Sequence, residues 1–201
     1  RIIYRGNHHP MLATHVAIVG TDTDIGKTIV TGLIAAWLTN QNQSPTTQKW
    51  VQTGSKTPID IQTHRLIQGL PNTPPYHCCY QFQLPASPQL AAQVEQHVIH
   101  PSKIISDFNQ LRTRFSHIIV EGSGGLLVPY TDQVTQLDLI ETLKIPVILV
   151  SAHRIGTINH TLLSLSELSR RKVPCLGTIF TTPDPQIDPQ LIENHHHMIK
   201  Q

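Results

Sequence analysis

Gly20-Thr21-Asp22-Thr23-Asp24-Ile25-Gly26-Lys27-Thr28-Ile29-Val30 is the stretch on which the fold turns. The residues before it, His15-Val16-Ala17-Ile18-Val19, are a short β-branched apolar run closed by glycine, the pattern of a buried strand. After it, residues 28–40 carry apolar side chains at Ile29, Leu33, Ala36 and Trp37, the period of an amphipathic helix. Strand, glycine-bounded loop, Gly-Lys-Thr and helix form the context that a phosphate-binding loop requires. Loop amides and the positive end of the helix point at a polyanion there, and glycine lets the backbone come close. In such a loop Lys27 reaches the β- and γ-phosphates, and Thr28 offers its hydroxyl to Mg²⁺. The competing reading is a chance Gly-Lys-Thr at a helix start, with Lys27 in solvent.

Two features sit badly with the ordinary motif. Five residues separate Gly20 from Gly26, where the usual spacing has four. Asp22 and Asp24 also put negative charge into a loop meant for phosphate, which requires a metal or a cationic substrate beside them.

Outward from the loop, the pattern is that of a doubly wound α/β fold with a mainly parallel sheet flanked by helices. Residues 46–51 read as the second strand, with Lys49 near its end and Thr53-Gly54-Ser55 in the loop that follows. In an open α/β sheet that carboxyl edge is where ligands bind. Lys49 is thus either a functional cation or a solvated strand-end lysine. Residues 60–69 read as a short helix with Asp60 at its cap, and residues 70–88 as a long proline-rich loop. Ser87-Pro88 opens a helix over 89–97, with proline in the favoured first turn. Another helix spans 102–114.

His117-Ile118-Ile119-Val120-Glu121-Gly122-Ser123-Gly124-Gly125 is the second informative stretch: an apolar strand ends in an acid and runs into glycines. A strand-end acid near a bound nucleotide holds Mg²⁺ directly or through water; the plain alternative is a surface turn. Residues 144–151 and 175–180 give two more strands, with a helix to about Arg170 between them. His195-His196-His197 reads as a solvated run, because consecutive histidines do not converge on one ion.

Composition bounds the function. The 201 residues suit one domain spanning 11–201, and a net charge of +2 with 14% charged residues is too weak a field for nucleic acid or an anionic membrane. No apolar run approaches the roughly 20 residues a bilayer span needs. Three cysteines, two of them adjacent, argue for a reducing compartment, the cytoplasm. Residues 1–10 precede Met11 and carry no secretory pattern; they are read as an upstream extension or expression remnant outside the fold.

Together these motifs resemble the dethiobiotin synthetase family, ATP-dependent ring-closing enzymes with a P-loop NTPase-like fold. The resemblance runs from about Val16 to Phe180 through an ordered set. It comprises the loop 20–28 with its five-residue gap, Lys49 with Thr53-Gly54-Ser55, Ala86-Ser87-Pro88, Val120 to Gly125, Ile145 to Val150, and Gly156-Thr157-Ile158-Asn159-His160. It implies that 7,8-diaminopelargonate takes up CO₂ as a carbamate, that the carbamate attacks the γ-phosphate of ATP, and that the second amine closes the ring. It implies catalytic roles for Lys27, Lys49 and Thr23, and a magnesium set of Thr28, Asp60 and Glu121. ATP would be held by Asp24, Ile25, Gly26, Lys27, Thr28, Ile29, Glu121 and Gly124. The diamine would be held by Thr23, Lys49, Thr53, Gly122, Ile155 and Asn159, the last two across a homodimer interface.

The chain departs from the family at Thr181-Thr182, where an asparagine usually reads adenine, and it is short between Ser55 and Asp60. It ends at Gln201, before a strand and loop that usually complete the nucleotide pocket, so a missing C-terminal end is expected. Three readings compete: a partitioning-type switch ATPase, whose early signature lysine is replaced here by Thr21, Asp22 and Thr23; a cobyrinic-acid amidotransferase, which needs a further domain; and a degenerate member that binds nucleotide without turnover.

Overall fold

A computed structural model of the chain describes residues 2–3 and 14–200. The elements in order are β1 (Ile2–Ile3), β2 (His15–Gly20), α1 (Lys27–Asn40), β3 (Pro45–Gln52), α2 (Ile59–Ile67), β4 (Cys78–Gln81), α3 (Pro88–Val94) and α4 (Pro101–Arg112). They continue as β5 (His117–Gly125), α5 (Gln136–Leu143), β6 (Val147–Ala152), α6 (Thr157–Arg170), β7 (Cys175–Thr181) and α7 (Pro189–Lys200). The sheet order is β1-β7-β6-β2-β5-β3-β4, parallel throughout except for the β1–β7 pair. This is the doubly wound α/β architecture that the sequence predicts.

The topology explains where a site can form. The chain lays down β3 and β4 on one side of β2, returns to insert β5 between β2 and β3, then crosses to place β6 and β7 on the other side. Helices diverge at such a reversal and leave a crevice at the carboxyl ends of the central strands. Register delivers the side chains to it: Lys49 of β3 stands level with Glu121 of β5, and Ile18 of β2 pairs with that same glutamate.

One core lies on each face of the sheet. The larger packs Trp50, Phe82, Phe108, Tyr130, Leu137 and Ile140; the smaller joins Val16, Ile18 and Ile119 to Ile25, Val30, Ala35 and Leu38 around α1. Here one expectation reverses. Ile29, Leu33 and Trp37, the stripe that marked α1 as amphipathic, are half exposed or more, and Val30, Thr31, Ala35 and Leu38 turn inward. The phosphate loop fixes the helix rotation, and Gly32 admits α2 on the neighbouring face, where a Cβ would meet Ile67 Cδ1 at 2.6 Å.

Other differences have local causes. β4 lies inside the segment read as loop, a four-residue strand extending the sheet beyond β3. α5 carries too short an apolar pattern to stand out, although Thr135 and Asp138 form a capping box at its start. β5 continues through Gly125, so Glu121 sits inside a strand rather than at its end. The tail forms α7, and His195 is buried, stacked on His153 with Nδ1 atoms 3.1 Å apart, not part of a solvated run. Of residues 1–10, only Ile2–Ile3 are described, paired with Ile179 and Thr178; the extension read there otherwise lies outside the described residues. Among the described residues no helix is long and apolar enough to cross a membrane.

Candidate active site

The loop between β2 and α1 is tied down from three directions. The Thr21 amide donates to the Val150 carbonyl at 3.0 Å, and the Thr181 hydroxyl donates to the Ile25 carbonyl at 2.8 Å. Gly26 caps α1 at φ +88°, a conformation that L side chains rarely adopt, and a Cβ there would press on Thr181 Cγ2 at 3.1 Å. The first turn of α1 carries no acid, so its unpaired amides face the cleft with their positive dipole uncancelled. Lys27 Nζ folds back to donate to the Asp22 carbonyl at 2.7 Å. Burial first, and the charge of Lys49 second, lower the Lys27 pKa to about 8.

Of the two acids in the loop, Asp22 has a cationic partner within the chain, where a metal or a cationic substrate was expected. Asp22 accepts from the Arg154 guanidinium, which comes from the turn after β6. Asp24, in the left-handed region at φ 52°, is exposed.

Opposite the loop lies a compact ionic cluster. Lys49 Nζ bridges Asp60 Oδ2 at 2.7 Å and Glu121 Oε1 at 2.8 Å, and donates to the Gly122 carbonyl at 3.0 Å. The Thr28 hydroxyl stands 3.0 Å from Glu121 Oε1 and 3.3 Å from Asp60 Oδ1. Glu121 Oε2 meets His64 Nε2 at 2.6 Å. Burial alone would push the Glu121 carboxyl up, but Lys49 and then His64 outweigh it and hold the pKa down at about 2. For Lys49 burial likewise opposes the charge, and Glu121 and Asp60 overcome it, holding the ammonium well above its ordinary range. Asp60 is not the cap of α2: Pro58 holds that place, and the carboxylate turns instead to Lys49 and Thr28.

These groups line one cleft of about 240 Å³. Thr23, Asp24, Ile25, Gly26, Lys27 and Thr28 form its loop side. Lys49, Thr53, Asp60, Glu121 and Gly124 form the other. The remaining predicted positions fall elsewhere. Ile29 is on the outer face of α1, and Gly122 lies behind the cleft, contributing its carbonyl to Lys49. Ile155 and Asn159 flank the start of α6, both exposed. Sequence reading missed Gln52 and Ser123, which also line the cleft, and His64 behind it. The signal for His64 was its four-residue spacing from Asp60, which puts both on one face of a helix.

A divalent cation fits this donor set. Thr28, Asp60 and Glu121 supply only oxygen, and a cation, the Lys49 ammonium, already bridges the two acids. One hydroxyl and two carboxylates fall short of an all-protein cage, which suits Mg²⁺, an ion that keeps waters and shares phosphate oxygens.

A dipole-bearing helix start, a buried loop lysine and a hydroxyl set beside two acids, at the carboxyl edge of a parallel sheet, define a P-loop nucleoside triphosphatase fold. A family model described as an AAA domain matches residues 14–200. The chain is 42% identical over 172 residues to the ATP-dependent dethiobiotin synthetase BioD 2 of Haemophilus ducreyi, covering 83% of this chain and 82% of that one. It is 40% identical over 188 residues to the same-named protein of Pasteurella multocida, covering 91% and 88%. A ParA family ATPase from Chlorobium tepidum TLS shares the fold at TM-score 0.51 with 12% identity, over 90% of this chain and 80% of that chain. The chain belongs to the dethiobiotin synthetase family, ATP-dependent ligases of biotin synthesis.

Proposed function

We propose that this enzyme carboxylates 7,8-diaminopelargonate with CO₂ and closes the product to dethiobiotin with ATP. One amine adds to CO₂ and loses a proton, giving a carbamate. A carbamate oxygen attacks the γ-phosphorus, the bond to ADP breaks, and a carbamic–phosphoric anhydride results. The second amine attacks the carbonyl carbon and expels phosphate, closing the ureido ring.

The observation that supports this reading is the placing of two ammonium groups, Lys27 and Lys49, in the lining of one cleft, with Lys49 bridging the acid pair Asp60 and Glu121. Phosphoryl transfer to a carbamate brings two anions together, so positioning and charge neutralisation are the main catalytic demands. Lys27 leaves the Asp22 carbonyl for the β- and γ-phosphates, joined by the amides of Gly26, Lys27 and Thr28. Lys49 and the hydroxyls of Thr23 and Thr53 hold the carbamate. Thr28, Asp60 and Glu121 hold magnesium, which when bound neutralises the charge of the polyphosphate. Asp24, Ile25, Ile29 and Gly124 border the nucleotide, and Gly122 fixes Lys49 from behind.

Ile155 and Asn159 serve the substrate's carboxylate tail from a partner protomer in this reading. Exposed Ile155, Leu162 and Leu163 on and before α6 provide an apolar face for a homodimer. The reaction belongs in the cytoplasm. Its test is substrate dependence: phosphate release must require both the diamine and bicarbonate. Release indifferent to the diamine refutes the assignment.

A further inference from the structure

Glu121 is gripped from both sides, and the two grips differ in kind. Its Oε1 faces the cleft, where Thr28 and Lys49 reach it; its Oε2 points away, into the space beneath α2, where His64 is its hydrogen-bond partner. His64 is fully buried, with none of its surface open to solvent, so it touches neither nucleotide nor substrate. We propose that His64 is a positioning residue, which holds Oε2 of Glu121 so that Oε1 alone is presented to the cation and to Lys49.

The geometry supports this in three ways. Glu121 is ion-paired through Oε1 with the Lys49 ammonium at 2.8 Å, and a carboxylate so paired can only accept, so in the 2.6 Å contact it is His64 Nε2 that donates to Oε2. The other ring nitrogen, Nδ1, is buried with no hydrogen-bond partner among the described residues. The ring therefore spends its polar capacity on Glu121, not on a network of its own. Finally, His64 and Asp60 lie four residues apart on α2, so one helix carries both an acid of the proposed magnesium set and the clamp on the other acid. A shift of α2 would move Asp60 and swing Glu121 together. Outer partners of this sort typically change metal affinity 10- to 100-fold when removed, because they fix the direction of the ligand's lone pairs.

The inference rests on Glu121 belonging to the magnesium set, and the test separates the two. Mn²⁺ binding in the presence of ADP is followed by electron paramagnetic resonance for the full chain and for His64→Leu, His64→Gln and Glu121→Gln. The expected result is an affinity loss of about tenfold or more for His64→Leu and a loss within roughly threefold for His64→Gln, whose amide can still donate to Oε2. The Mg²⁺ concentration for half-maximal turnover rises in parallel, while kcat at saturating Mg²⁺ changes little. A folded His64→Leu enzyme with unchanged Mn²⁺ affinity overturns the proposal, as does a His64→Gln enzyme that gains nothing over it. If Glu121→Gln also leaves Mn²⁺ affinity unchanged, the magnesium set falls with it. Should His64→Leu fail to fold, ¹⁵N spectra of the histidine rings in the unmodified protein decide: a proton on Nε2 of His64 supports the clamp, and one on Nδ1 alone overturns it.

Discussion

Replacing Lys49 by methionine should destabilise the protein strongly, and magnesium should restore part of the loss. The Lys49 ammonium lies within 2.8 Å of two carboxylates, and Glu121 is only 1% exposed. Methionine keeps most of the buried stem but leaves Glu121 ionised with half its compensation gone. Breaking a buried pair in this way costs about 3–5 kcal/mol, since the remaining charge cannot regain its water. For a chain of this size each kcal/mol moves the melting temperature by roughly 2–4 °C, so a fall of about 6–20 °C is expected. A dication can take the ammonium's place between Asp60 and Glu121, so millimolar Mg²⁺ without nucleotide should raise the melting temperature of Lys49→Met more than that of the unmodified protein. The assay is thermal melting by circular dichroism with and without Mg²⁺, with exposed Lys56→Met as the control. A melting temperature within 2 °C of the unmodified protein, or equal Mg²⁺ shifts in both proteins, would refute the argument that Lys49 stands in the cation position.

Two predictions concern pH. Burial lowers Lys27 to about 8 in the free enzyme, and bound triphosphate must raise it. ATP affinity is therefore fully expressed below that value and falls as pH rises through it, with proton uptake on binding near pH 8 by titration calorimetry; an affinity flat from pH 7 to 9.5 contradicts the buried, phosphate-facing lysine. Glu121 titrates in the opposite sense. Its folded pKa of about 2 lies below the ordinary 4.5 of a free carboxyl, so its stabilisation is present above 4.5 and is lost as pH falls towards 2. Denaturant melts should show Glu121→Gln less stable by on the order of 3 kcal/mol near pH 6, with the gap closing towards pH 2. A gap that does not change with pH would mean that the carboxylate is not held ionised by Lys49 and His64.

What the sequence disclosed was whatever lay in short, continuous patterns. The run His15 to Val19, the glycine-bounded loop and Lys27-Thr28 are adjacent in the chain, and their order alone specifies strand, loop and helix start. Lys49 was legible as a lysine near the end of a strand that runs into a glycine loop, and Glu121 as the acid closing an apolar run, although their meeting depends on β3 and β5 pairing level at those two residues. The features that stayed hidden were tertiary. Asp22 is compensated by Arg154, 132 residues away, which no local pattern announces. Ile29, Leu33 and Trp37 have perfect helical spacing and still face outward, because loop geometry and the α1–α2 contact set the rotation of α1. Asp60 resembled a cap because acids are common at helix starts; only the approach of β3 makes it a partner of Lys49. His195 lost the solvated place its neighbours implied because it stacks on the His153 ring, which is itself stacked on Phe180.

Thr181 shows the same limit in the other direction. Its hydroxyl reaches the Ile25 carbonyl at 2.8 Å and the Ser151 carbonyl at 3.3 Å, which ties the phosphate loop to β6 and β7, a role that no local pattern around Thr181-Thr182 announces.

The most direct measurement is phosphate release from ATP and Mg²⁺ with 7,8-diaminopelargonate and bicarbonate, each co-substrate omitted in turn, for the unmodified protein, Lys27→Ala and Lys49→Ala. Release is expected only when both co-substrates are present, with dethiobiotin formed in equal amount, and turnover is expected to be abolished in both variants. Release that persists without the diamine, or near-normal rates in either lysine variant, would contradict the proposed function.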